Sequence, residues 1–108
     1  MIKVLKGMKD RYFEDVRKYD YIIDSAKNVF SKYGFEKIIT PIVEETELFE
    51  RGVGEETDVV SKEMYTFLDK AERSITMRPE GTAGVVRAYL QAGLYKSEPV
   101  VKWFYYGP

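Results

Sequence analysis

The sequence predicts an α+β domain with a mainly antiparallel sheet flanked by helices. Three observations carry this prediction: an amphipathic stretch near the start, two strand-forming runs joined by a polar turn, and an apolar helical stretch followed by an aromatic run. The predicted order is therefore helix, strand, short helix, hairpin, helix, strand. With 108 residues, of which 44% are hydrophobic and 32% charged, the chain has the size and composition of one globular domain.

The first helix is predicted from about Glu14 to Tyr33. Its apolar residues recur at steps of three and four, which places them on one face of a helix. Gly34 follows, and a residue without Cβ readily takes the positive φ that ends a helix. This periodicity is satisfied equally by an intramolecular core and by a contact between subunits. The apolar residues are Val16, Tyr19, Ile22, Ile23, Ala26, Val29, Phe30 and Tyr33.

A strand is predicted over residues 35–40, where β-branched residues are frequent. Pro41 cannot donate a ladder hydrogen bond, so it belongs at a strand end, an edge or a bulge. The strand resumes at Ile42–Val43. Thr46 is then a candidate cap for a short helix that ends at Gly52.

The middle of the chain predicts a β-hairpin. Residues 64–68 and 74–78 are rich in strand formers, and the polar residues 69–73 between them suit a turn. Pro79 ends the second strand. The hairpin is the main reason to expect antiparallel pairing.

A second long helix is predicted from Thr82, as N-cap, to about Gly93. It is apolar almost all round, so we expect burial on more than one side. Residues 100–106 form the last predicted strand, and its aromatic residues suit a core strand better than base stacking. Because such a strand needs cover and a partner strand, we expect these residues to be the first part of a longer protein.

The net charge is −1, which excludes a protein that coats nucleic acid without regard to sequence. Acidic residues concentrate in residues 44–63, which hold eight acidic and two basic side chains. Their spacing matches no known ligand loop, so the run is interpreted as a solvated face, with an acidic loop at Gly52–Glu56.

The chain has no cysteine and no histidine. Disulfides, thiol catalysis and thiolate metal sites are therefore excluded, together with the commonest general base and metal ligand. We expect no metal site in this stretch. No apolar run has the length of a membrane span, and cytoplasm is the default location.

The stretch with the most chemical information is residues 77–82, Met-Arg-Pro-Glu-Gly-Thr. A strand ends there, proline stiffens the exit, and Glu80 and Thr82 stand two residues apart at the start of a helix. One interpretation is local: Thr82 caps the helix and Glu80 complements its dipole. The other is that both side chains point into a pocket and bind an ammonium group.

Five blocks of the chain resemble the histidyl-tRNA synthetases, a family of class II aminoacyl-tRNA synthetases. They occur in the family's order and cover nearly the whole chain without a large gap. One resembles an N-terminal turn, one the first signature motif, one the segment before the hairpin, one the amino-acid-binding loop and one the start of the second signature motif. The blocks are residues 6–10, 33–42, 54–67, 78–83 and 104–108.

The resemblance implies a ligase that activates histidine with ATP and Mg²⁺ and then transfers it to its tRNA. Carried over, Glu80 would accept hydrogen bonds from the α-ammonium of histidine, Thr82 would add its hydroxyl, and Gly81 would allow close approach. A carboxylate paired with a fixed ammonium makes a strong and directional contact. These residues would position the substrate, and none in this stretch would be catalytic.

The first signature motif implies a homodimer. By resemblance, the first helix and the strand that ends at Pro41 form much of the interface, with Gly34 and Phe35 in the motif. Pro41 would shape the strand end near the partner's active site.

Residues 1–108 then correspond to the N-terminal part of the catalytic domain. The second-motif arginine, the third motif and the anticodon-binding domain of the family have no counterpart in this stretch. We therefore expect it to bind neither ATP nor Mg²⁺ tightly and to be inactive alone.

Three alternatives remain open. The regulatory subunit of the ATP phosphoribosyltransferase of histidine biosynthesis resembles the same family and is not a ligase. A second alternative is a class II synthetase for another amino acid, such as proline or threonine. The third is an independent interaction module, which would require a well-folded, monodisperse 108-residue protein.

Overall fold

The computed structural model describes residues 1–51 and 63–108. The chain divides into two compact units, residues 1–36 and residues 37–108. The predicted acidic loop at Gly52–Glu56, the helix stop at Gly52 and most of the block at residues 54–67 lie outside the described residues. The α+β class is confirmed, since the described elements are helices and antiparallel strands.

The first unit contains the long helix α1, Glu14–Lys32, which confirms the predicted helix to within one residue. Gly34 has φ = +78°, as expected for the residue that ends a helix. Glu14 and Lys18 form an ion pair one turn apart, with 3.5 Å between the charged atoms. No residue of α1 is buried in the described chain, so its apolar stripe still fits either of the two contacts that the periodicity allows.

The second unit contains a three-stranded antiparallel sheet. Its strands are β2 (Val43–Glu45), β3 (Thr66–Leu68) and β4 (Ser74–Met77), in the order β2-β4-β3. Val43 lies opposite Met77, and Thr66 lies opposite Thr76. The hairpin prediction is confirmed, and the strand after Pro41 pairs with it.

Two further strands are shorter than predicted. They are β1 (Glu36–Lys37) and β5 (Trp103–Phe104), where the sequence predicts residues 35–40 and 100–106. The N–H of Ile38 donates to the carbonyl of Phe104 at 3.0 Å, so the ladder continues only where the two segments meet. In each segment, the residues that favour a strand extend beyond those that pair with the other segment. The predicted strand lengths are wrong for that reason.

Two α-helices pack in the second unit. Helix α2 (Thr46–Glu50) contacts β2 and β4, and helix α3 (Thr82–Gln91) contacts α2. A 3₁₀ turn follows at Leu94–Lys96. Phe49 and Phe104 are the buried apolar side chains of the described residues.

The predicted burial of α3 on several sides is wrong for the described chain. Among the residues of α3, only Gly84 is buried. The helix packs closely against its neighbours on the side that carries Gly84. A Cβ placed there would lie 3.2 Å from Oε1 of Glu44 and 3.4 Å from Oγ1 of Thr40. Val86 and Leu90 are 51% and 54% exposed. The second apolar face of α3 is therefore open.

A chain of hydroxyl groups connects α2 to the sheet. The fully buried Thr76 donates its hydroxyl to Thr46 at 2.9 Å and shares a hydrogen bond with Thr66 at 2.8 Å. Thr46 also bonds Ser74 at 2.8 Å. Thr46 was predicted to cap α2, but the N-cap is Glu45. The hydroxyl of Thr46 instead satisfies buried neighbours, as buried polar groups require.

The hairpin turn is organised by Asp69. Its Oδ1 accepts hydrogen bonds from the backbone N–H groups of Ala71 and Arg73, both at 2.9 Å, and Oδ2 accepts one from Nε of Arg73 at 2.8 Å. Glu72 adopts φ = +63° within this turn. The backbone hydrogen bond from Arg73, with further donors, holds the pKa of Asp69 below its ordinary value of 3.8.

This shift predicts an acid-sensitive turn. A carboxyl group with a lowered pKa in the folded state stabilises the fold above its unfolded pKa, and that contribution disappears as the pH falls through the folded pKa. Asp69→Asn should therefore destabilise the protein at neutral pH. The difference from the wild-type protein should shrink below about pH 4, where Asp69 becomes protonated. Urea unfolding of both proteins from pH 7 to pH 2.5 measures this, and a difference that is constant across the range would contradict it.

Candidate functional site

The turn between β4 and α3 holds Glu80 against the start of the helix. Its Oε2 accepts a hydrogen bond from the N–H of Thr82 at 2.5 Å, and its Oε1 accepts one from the N–H of Ala83 at 2.9 Å. The N-cap residue is Gly81, with φ = −99°. The prediction that Thr82 is the N-cap is wrong, because Thr82 is already the first helical residue and the Glu80 carboxylate satisfies the helix N–H groups.

The Glu80 carboxylate can accept further hydrogen bonds while it is bound to the N–H groups at the start of α3. An ionised carboxylate offers about four lone-pair positions, and the two helix N–H groups occupy only part of them. Glu80 is exposed, so its outer side is open to a ligand. Both interpretations of this turn are therefore compatible, with Glu80 complementing the helix and still accepting hydrogen bonds from a cation.

Tyr105 closes the turn from the other side. Its hydroxyl lies 3.2 Å from Oγ1 of Thr82. A Cβ placed on Gly81 would lie 2.6 Å from Cζ of Tyr105, so the ring occupies the space where a side chain at position 81 would be. Sequence reasoning missed Tyr105 because it lies far along the chain, and no local signal connects it to this turn.

Arg78 anchors the beginning of the same turn. Its backbone N–H donates to the carbonyl of Ile42 at 2.9 Å. Its guanidinium donates from Nη1 to Oγ1 of Thr40 at 3.1 Å and from Nε to the carbonyl of Pro108 at 2.6 Å. Three chain segments are thereby held together just before Glu80.

The turn opens onto a groove of about 1120 Å³ between α2 and α3. The exposed side of α3 forms one wall, which explains why Val86 and Leu90 are not covered. Pro41 also lines the groove, close to the strand that carries Glu44. The polar and charged residues that line the groove include Glu44, Glu47, Arg51, Glu80, Thr82 and Arg87.

An ion pair lies in the wall of this groove. Arg87 donates from Nη2 and Nε to Oε1 of Glu44 at 2.8 and 3.2 Å, and from Nη1 to Gln91 at 2.8 Å. The Glu44 side chain is only 9% exposed. The interpretation of the whole acidic run as a solvated face is therefore wrong at Glu44, which is paired and largely covered, whereas Glu45 and Glu47 are exposed.

The other predicted site residues are divided between the two units. Gly34 and Phe35 belong to the first unit, where the ring of Phe35 lies 5.7 Å from that of Phe30. Pro41 belongs to the second unit. Their predicted place in a subunit interface stays a prediction.

Within residues 1–51 and 63–108, no three acidic side chains come together as a metal site would require. Over the same ranges, no helix combines the length and apolar character needed to cross a membrane.

Comparison with known proteins shows the family that this chain resembles. The family model described as histidyl-tRNA synthetase matches residues 7–108. A histidine–tRNA ligase of Geobacter sulfurreducens is 50% identical over 108 residues, which is all of this chain and 26% of that protein. The chain therefore spans about a quarter of the length of the curated relatives it matches.

Solved structures give the same result. The apo structure of S. aureus histidyl-tRNA synthetase matches all of the chain with a TM-score of 0.83 and 41% identity, over 29% of its own length. A Bacillus halodurans protein titled ATP phosphoribosyltransferase regulatory subunit/histidyl-tRNA synthetase matches 97% of the chain and 26% of its own, with a TM-score of 0.77. At 23% identity, this second likeness shows the fold alone.

These matches define the class as that of the aminoacyl-tRNA synthetases. Within that class, the chain belongs to the histidyl-tRNA synthetase family.

Proposed function

We propose that residues 1–108 form the N-terminal part of the catalytic domain of a histidine–tRNA ligase. The ligase activates histidine with ATP and transfers it to its tRNA. The observation that carries the proposal is the turn at Glu80–Thr82, where an exposed carboxylate and a hydroxyl flank the open end of a groove. Membership of the family supports the same activity.

In this proposal, the turn binds the α-ammonium of histidine. The ammonium donates to the outer lone pairs of the Glu80 carboxylate and to Oγ1 of Thr82. The hydrogen bonds from the helix N–H groups hold Glu80 in place before the substrate arrives, so little side-chain entropy is lost on binding. With the ammonium fixed, the carboxylate of histidine is oriented toward the α-phosphate of ATP, which is a positioning effect.

ATP is a substrate of the proposed reaction, and Mg²⁺ would be its ion. Among residues 1–51 and 63–108, no three acidic groups come together, and the proposal assigns the ion no step. In this proposal, the turn at Glu80–Thr82 contributes only to binding of the amino acid.

We further propose that the protein is a cytoplasmic homodimer in which Gly34, Phe35 and Pro41 belong to the interface. The apolar stripe of α1 supports this assignment, since Tyr19, Ile22 and Val29 on it are 41%, 65% and 52% exposed. Burial of such a stripe is favourable by about 25 cal/mol for each Å² of apolar surface removed from water.

The test is amino-acid-dependent ATP–pyrophosphate exchange by the intact protein. We expect exchange with histidine and none above background with proline or threonine. Exchange with one of those two amino acids would contradict the choice of substrate. No exchange with any amino acid, at concentrations that saturate known ligases of this class, would favour the non-catalytic regulatory subunit instead.

A further inference from the structure

We propose that Tyr105 is a positioning residue for histidine binding, because its hydroxyl orients that of Thr82 toward the substrate ammonium. This inference rests on the proposed function, and it adds a residue from the other end of the chain to the turn at Glu80–Thr82. Tyr105 itself does not need to contact the substrate.

The geometry places Tyr105 directly on the turn. Its hydroxyl and Oγ1 of Thr82 are 3.2 Å apart, slightly longer than the usual O–H···O distance. Hydrogen bonds in sites without substrate are often long and tighten once the substrate is bound. Tyr105 follows directly after β5, whose Phe104 is buried and receives a backbone hydrogen bond from Ile38, so the tyrosine is attached to a fixed strand end.

The direction of the Thr82 proton decides what the site can bind. A threonine hydroxyl has one proton to donate and two lone pairs to accept with, whereas an ammonium group only donates. If the Thr82 proton points toward the ligand, it repels the ammonium. When Thr82 donates to the Tyr105 oxygen instead, both lone pairs of Oγ1 remain available to the ammonium.

Gly81 makes this arrangement possible. Its φ of −99° suits any residue, so backbone conformation does not require glycine there. The space beside it is filled by the Tyr105 ring, since a Cβ would lie 2.6 Å from Cζ. The missing side chain therefore admits the ring of Tyr105, which brings the hydroxyl to Thr82.

The inference is tested by Tyr105→Phe in the intact ligase. The ring remains and only the hydroxyl is lost. We expect the KM for histidine in pyrophosphate exchange to rise by about three- to tenfold, as for the loss of one hydrogen bond. The KM for ATP and the melting temperature should not change. In a Thr82→Ala background, Tyr105→Phe should have no further effect, because its action passes through Thr82.

Two histidine analogues separate positioning from a structural effect. Histidinol keeps the amino group, so Tyr105→Phe should weaken its inhibition by the same factor as the KM. Imidazolepropionic acid lacks the amino group, and its inhibition should not change. The matched control is Tyr106→Phe, whose hydroxyl accepts a hydrogen bond from Lys37 at 3.0 Å and lies outside the proposed site.

Each outcome decides between the proposals. An unchanged KM for histidine in Tyr105→Phe, or equal weakening of both analogues, would overturn the role of Tyr105. If Glu80→Gln still impairs histidine binding in that case, the proposed function stands without it. If Glu80→Gln leaves histidine activation intact, the proposed function itself fails.

Discussion

Glu80→Gln in the intact ligase is expected to lower kcat/KM for histidine activation by about 100-fold or more, which corresponds to about 3 kcal/mol. The amide has the shape of the carboxylate, but it carries no charge and turns an N–H₂ group toward donors. Those donors are the substrate ammonium and the helix N–H groups of Thr82 and Ala83. Steady-state pyrophosphate exchange at varied histidine and at varied ATP measures the effect.

The matched control is Glu47→Gln. Glu47 lines the same groove and is exposed, but its partner is Arg51 one turn away. We expect histidine activation by this variant to equal that of the wild-type protein. Glu80→Gln should also cost about 1 kcal/mol of stability through the helix cap, so melting curves accompany the kinetics. A Glu80→Gln enzyme that loses stability and keeps its KM for histidine would limit Glu80 to the capping role.

Arg87→Met is expected to lower the free energy of unfolding by about 2–4 kcal/mol. The Arg87 side chain is 29% exposed and that of its partner Glu44 only 9%, so the substitution leaves a largely covered carboxylate without its counter-ion. The pair also connects β2 to α3, which form part of the wall beside the Glu80 turn. Urea unfolding gives the free energy.

Arg51→Met is the control for that prediction. Arg51 and Glu47 form the same kind of pair, but their side chains are 78% and 60% exposed. Such surface pairs contribute about 0–1 kcal/mol. Replacing both Glu44 and Arg87 with methionine should restore much of the stability lost in Arg87→Met, because no unpaired charge remains. Equal losses in Arg51→Met and Arg87→Met would show that burial of the pair does not matter.

The local elements could be read from the sequence because their signals are local. Helix α1 follows from apolar residues spaced three and four apart, and Gly34 marks its end with the expected positive φ. The hairpin follows from two strand-forming runs around a polar turn, which Asp69 then closes. The order of the motifs was enough to indicate the family that the comparisons show.

The lengths of the strands and the role of each cap could not be predicted in the same way. Residues 100–106 have strand composition, but only Trp103–Phe104 forms a strand, since a ladder exists only where a partner runs beside it. Thr46 and Thr82 both have the composition of N-caps. In the structure, Thr46 joins a hydroxyl chain through Thr76, and Glu80 takes the place expected for Thr82.

The sequence by itself determined the helix, the hairpin, the turn that carries Glu80 and the family to which they belong. Only the tertiary structure decided that Tyr105 fills the space beside Gly81 and that Arg87 covers Glu44. These pairs are 24 and 43 residues apart in the chain. Whether two such side chains meet depends on strand register and on which helix faces are packed together, and no local pattern of residues encodes either.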